Sequence, residues 1–125
     1  MKKLLMLVLF AACNAHAESV FPIGTDHDGN EVMITTIGME YQGNSLYSLP
    51  VIFSQPKGTS SLEYYLISCE THEYALREKI EFSKSRMKGE ITSHTKYDQA
   101  WVSPDVGTVG FTILQRACSL IAKSM

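Results

Sequence analysis

Apolar residues run unbroken from Leu4 to Ala12, and after Val20 they break up into short stretches separated by Gly, Asp, Asn and Pro. The first run is too short to cross a bilayer as a helix. The later stretches carry β-branched and aromatic residues between turn formers, the pattern of strands joined by loops. Ser19-Val20-Phe21-Pro22-Ile23 leads into Asp28-Gly29, a pair suited to a tight turn, and Glu31 to Ile37 reads as the returning strand of a hairpin. Gly38 begins a less regular connection, and Tyr41-Gln42-Gly43-Asn44 holds the next turn. Ser45 to Ser54 is apolar but contains Pro50, which cannot donate to a ladder, so this strand is expected at an edge or bulged. Leu62 to Cys69 has apolar residues on both faces and is expected to be central. Tyr74 to Phe82 alternates, with Leu76, Ile80 and Phe82 on one side and Arg77, Lys79 and Glu81 on the other. Met87 to Gln99 has neither period and reads as a surface excursion, from which Ala100-Trp101-Val102 returns to the core. Ser103-Pro104-Asp105 then offers capping oxygens to a helix whose apolar stripe is Phe111, Leu114, Cys118 and Ile121.

These elements predict an α+β domain, an antiparallel sheet of about five to six strands packed against one C-terminal helix. Gly107, Gly110 and Ala117 would let that helix approach the sheet closely. Length allows one core, so residues 18–125 are expected to form a single domain.

Met1-Lys2-Lys3 before the first apolar run, and Ala15-His16-Ala17 after it, give residues 1–17 the form of a signal peptide cleaved between Ala17 and Glu18. A lipoprotein route also fits, with Cys13 after Ala11-Ala12 as the lipidated residue, although Phe10 stands where an aliphatic residue is usual. Either route exports the chain, to the periplasm or the outer-membrane surface, and only the second attaches it to a membrane. Loss of Lys2 and Lys3 with no acid moves the formal charge from -2 to -4. The one basic cluster, Lys84, Arg86 and Lys88, is diluted by Glu81 and Glu90, which argues against nucleic acid.

Of three cysteines, Cys69 and Cys118 are left to the folded domain. An even pair in an oxidising compartment predicts a bridge, and Cys118 on the buried helix face can reach the strand that ends at Cys69. The alternative is a pair of buried thiols.

The order of landmarks is distinctive: Ile23-Gly24-Thr25, Asp28-Gly29, Gly43-Asn44, Gln55-Pro56, Cys69, Trp101, and Val106-Gly107-Thr108-Val109-Gly110 leading to Cys118. It resembles the surface-adhesin protein E family of Gram-negative bacteria over nearly the whole segment after the leader. The resemblance implies an antiparallel sheet on a C-terminal helix and a disulfide matching Cys69 and Cys118. It also implies a protein partner, with host extracellular-matrix and plasma proteins bound by the family's named member. Pro50 departs from the β-branched and aromatic residues usual at its place, and no motif position identifies partner-binding residues.

Other chemistry is weaker. Asp26-His27-Asp28-Gly29-Asn30 lacks the spaced ligands of a calcium loop and reads as a hairpin turn. His72 lies between Glu70 and Glu73, but adjacent strand residues diverge, so a surface turn is the simpler reading. His94 has no evident partner. No catalytic or cofactor fingerprint is present, so the expectation is a non-enzymatic envelope binding protein with no cofactor or metal. The other expectation is a periplasmic accessory protein that binds another envelope component. Six tyrosines suit either a protein-binding surface or ordinary strands.

Overall fold

The computed structural model describes residues 20–124, so the leader, Cys13 and the Ala17/Glu18 junction lie outside the described residues. Seven strands form one antiparallel sheet: β1 (Val20–Thr25), β2 (Glu31–Thr35), β3 (Glu40–Gly43), β4 (Leu46–Ser54), β5 (Ser60–Ser68), β6 (Glu73–Phe82) and β7 (Ile91–Lys96). Helix α1 (Val109–Ser124) follows. The spatial order is β1-β2-β4-β5-β6-β7, with β3 paired to β4 beside the main path.

The first hairpin forms as its sequence predicts. Asp26 Oδ1 accepts from Asp28 N at 3.0 Å and Asn30 N at 2.9 Å, while Oδ2 accepts from Asn30 Nδ2 at 3.0 Å. Burial opposes the Asp26 charge, but the bonds from Asn30 and Asp28 outweigh it and hold the pKa below the ordinary 3.8.

Strand β4 is central, contrary to the edge expected from Pro50. It pairs with β5 from Leu46 to Ser54, while on its other side it pairs with β2 from Val51 to Ser54 and with β3 from Leu46 to Ser48. The outer ladder skips Leu49 and Pro50, so the residue without an N–H stands where that ladder changes partner. Gly38, at φ 88°, turns the chain there and lies against the Pro50 ring. The turn expected at Tyr41 to Asn44 falls one step later, at Asn44 and Ser45 with φ of 52° and 63°, which frees Glu40–Gly43 to be a strand.

Strand β5 is central as expected. On β6 the uniform alternation fails, because Tyr65 pairs with Leu76 and Tyr64 with Glu78, leaving Arg77 as an extra residue. Cross-strand partners share a face, so Leu76 points to one face and Ile80, partner of Leu62, to the other. The polar excursion contains a seventh strand, β7, paired to β6. Trp101 and Val102 stay exposed: Val102 makes an isolated bridge with Tyr74 along the β6 edge and does not enter the core.

The core joins Val32, Ile34, Leu49, Val51 and Ile67 of the sheet to Ile113, Leu114, Ala117 and Ile121 of α1. Each of the valine, isoleucine and leucine side chains contributes roughly 1.5–3 kcal/mol by leaving water. Thr108, not Ser103 or Asp105, caps the helix: its Oγ1 accepts from Phe111 N at 3.2 Å and donates to Asp105 O at 2.7 Å. Gly110 passes so near Tyr74 that a Cβ there would lie 2.5 Å from the hydroxyl. Cys69 and Cys118 are bridged, with Cα atoms 5.7 Å apart, and tie α1 to the end of β5.

Candidate functional site

Two surfaces stand out, and the first is the hairpin between β6 and β7. Its tip is wound tightly: Arg86 and Met87 have φ of 56° and 59°, and Gly89 has 78°. Left-handed backbone costs roughly 1–2 kcal/mol at each residue other than glycine, so something must hold it. Two serines do. Ser54 Oγ accepts from Arg86 N at 2.8 Å, and Ser60 Oγ accepts from Met87 N at 2.8 Å while donating to Lys84 O at 2.7 Å. Both serines are buried, at 2% and 5% exposure, so the tip is anchored from beneath by the ends of β4 and β5. Ser83 adds a bond from Glu90 N to its Oγ at 2.9 Å.

What this frame presents is mixed in character. Lys84, Arg86 and Lys88 are exposed, and Met87 and Ile91 add apolar area. This basic cluster therefore sits on a fixed turn. Arg86 reaches Glu31 only at 3.9 Å. From the tip, β7 runs along the outer margin of the sheet, with β6 as its only strand partner among the described residues. An outermost strand offers backbone donors and acceptors on its free side.

The second surface lies on the helix side. Register places Ile34, Val51, Glu63 and Lys79 in one row across the sheet, and Val32, Phe53, Ser61 and Glu81 in the next. Each row turns from apolar to polar between β4 and β5. Core residues of α1 pack on the apolar half, and an open cleft of 460 Å³ lies over the polar half. Within it Tyr65 Oη donates to Glu63 Oε1 at 2.6 Å, and the Tyr65 and Tyr74 rings meet edge to face at 5.3 Å. Burial, with Glu63 alongside, pushes both phenols above their usual pKa, Tyr65 the further. For Lys79 burial disfavours the charge, but the Glu81 hydrogen bond and the charges of Glu63 and Glu81 prevail and raise its pKa.

The remaining sequence candidates fall elsewhere. The Asp26 carboxylate is occupied in shaping its turn. His72, at φ 57°, lies in the turn after Cys69 with its ring 5.4 Å from Phe111. His94 Nε2 sits 3.3 Å from Glu78 Oε2, a partner only the β6–β7 register reveals. Among the six tyrosines only Tyr41 is exposed, at 61%, which favours ordinary strand roles for Tyr47, Tyr64, Tyr65 and Tyr74, while Tyr97 lies just past β7. No described helix is long and apolar enough to cross a membrane.

No curated protein and no solved structure matches the chain. A family model, surface-adhesin protein E, matches residues 27–119. That span runs from the first hairpin turn into α1 and includes both bridged cysteines. On this match, which takes in most of the chain, the protein belongs to the surface-adhesin protein E family.

Proposed function

We propose that this protein is exported and acts without catalysis as a cell-envelope adhesin, contacting a protein partner through the β6–β7 tip and the adjoining β7 margin. Family membership supports adhesion at the cell surface in general terms. The observation that carries the choice of surface is the strained tip, held by two buried serines. A turn fixed this way presents its side chains in one arrangement and loses little entropy on binding. Exposed Met87 and Ile91 supply area that leaves water on contact, and the free backbone of β7 can pair with an added strand.

Export would remove the leader, at Cys13 with lipidation for a tethered adhesin or before Glu18 for a soluble chain, leaving one domain, and host extracellular-matrix and plasma proteins are the candidate partners. Immobilised proteins of these classes should bind the folded domain in a dose-dependent, saturable way. Absence of binding by the disulfide-intact protein across such a panel would sink the adhesin reading. The second reading, a periplasmic accessory protein, is favoured by Phe10 in the lipidation signal. Intact mass decides between them: a chain starting at Glu18 and released by osmotic shock supports the accessory role, and acylation of Cys13 supports the tethered adhesin.

A further inference from the structure

We infer that the helix-side cleft over β5 and β6 is a separate binding site, built to take the side chain of a lysine or arginine from a partner polypeptide. Its volume, 460 Å³, falls in the range of sites that enclose a small group. Its ionisable lining is one-sided: Asp26, Asp28, Glu63 and Glu81 carry carboxylates, and Lys79 is the only cation among the lining residues. Two of these carboxylates are already engaged, Asp26 in its turn and Glu81 with Lys79 at 3.3 Å.

Glu63 is different. It is half-buried, and its partners are hydroxyls: Tyr65 Oη at 2.6 Å on one oxygen and Ser61 Oγ at 3.2 Å on the other. Each carboxylate oxygen can accept a second bond, so Glu63 is fixed in position yet able to receive an incoming cation. Beside it the floor is apolar, with Phe53 in the neighbouring row and the Tyr65 ring two residues along. A lysine or arginine has a long apolar stem and a charged head, and the floor offers a surface for each. The net negative lining disfavours an anionic guest, and a neutral apolar one would strip water from Glu63 without replacing it.

The cleft lies on the helix side and meets the base of the β6–β7 hairpin at Ser60, Phe82 and Thr92. Its cation is received at Glu63, so perturbations centred on Glu63 separate this site from the exposed tip proposed above. The test titrates isotope-labelled, disulfide-intact protein with the capped peptides Gly-Arg-Gly, Gly-Lys-Gly and Gly-norleucine-Gly, followed by amide NMR shifts. The basic peptides should give saturable shifts confined to the Ser61–Tyr65, Lys79–Glu81 and Asp26–Asp28 amides, with dissociation constants on the order of millimolar. The norleucine peptide should give none. Glu63→Gln, which keeps an acceptor for Tyr65, should weaken binding about tenfold. Lys79→Met should strengthen it by roughly threefold, since it removes the competing cation. Shifts spread over the whole surface, equal response to norleucine, or full affinity in a folded Glu63→Gln variant would overturn the assignment.

Discussion

Replacing Ser60 with alanine tests whether the β6–β7 tip is held in its strained form from below. The hydroxyl lost is buried and makes two short bonds, to Lys84 O and from Met87 N. At about 1 kcal/mol for each, the lock contributes roughly 2 kcal/mol, more if Met87 N–H is left buried without an acceptor. Part of that loss is recoverable, because Met87 at φ 59° can return to right-handed backbone and release roughly 1–2 kcal/mol of strain. The net loss should therefore be about 1 kcal/mol, and it lowers global stability and the local free energy of opening the tip alike. Hydrogen exchange at the Arg86 amide is the reporter, since its own acceptor, Ser54 Oγ, is untouched. Its protection should drop roughly fivefold, with amides in the middle of β5 changing only as much as urea unfolding predicts. The reasoning is refuted if Arg86 keeps its protection while global stability falls by the full 2 kcal/mol, because Ser60 would then support only the sheet.

The bridge closes a sequence separation of 49 residues, for which the chain-entropy relation gives about 4 kcal/mol. Cys69→Ser, Cys118→Ser and the double variant should lose the same amount in urea unfolding, and additive losses would show that the cysteines contribute separately. Asp26 has a lowered folded pKa, so its stabilisation is fully present above the ordinary carboxylate value and is lost as pH falls through the lowered one. Asp26→Ala should cost about 1 kcal/mol at pH 7 and progressively less on acidification, and a cost that stays constant down to pH 2 would contradict the assignment. Ile91 is 62% exposed at the start of β7, so Ile91→Lys should leave stability within about 0.5 kcal/mol of wild type yet weaken partner binding measurably. Unchanged binding would remove that end of β7 from the contact surface.

The sequence was most readable where local chemistry alone decides the outcome. Asp26 to Asn30 closes a hairpin by itself, and the stripe of α1 follows from its apolar spacing. Errors arose where a neighbouring strand decides. Pro50 argues for an edge only if each strand keeps one partner along its length, and β4 changes partner there. Arg77 flips the faces of β6 through a bulge that its own alternation cannot announce. Strand β7 carries one large apolar residue, Ile91, because an outermost strand with little to bury needs no hydrophobic face. Glu63, Lys79 and Glu81 become one cleft only through the β5–β6 register, which no single segment encodes. The anchoring of the tip by Ser54 and Ser60 was equally hidden, since serines at strand ends are common and these two act on a loop more than twenty residues away.

The order of the strands also governs how the domain can assemble as it is made. Apart from the β2–β4 pairing, each strand pairs with its sequence neighbour, so the sheet can grow hairpin by hairpin from the N-terminal end. Helix α1, with Cys118, emerges last, and until then Cys69 has no partner within the described domain. Oxidation therefore latches a sheet that is already paired and does not steer its pairing. Pulse-labelling of nascent chains should find β5 and β6 protease-resistant before the thiols disappear, and the reverse order would mean that covalent closure comes first.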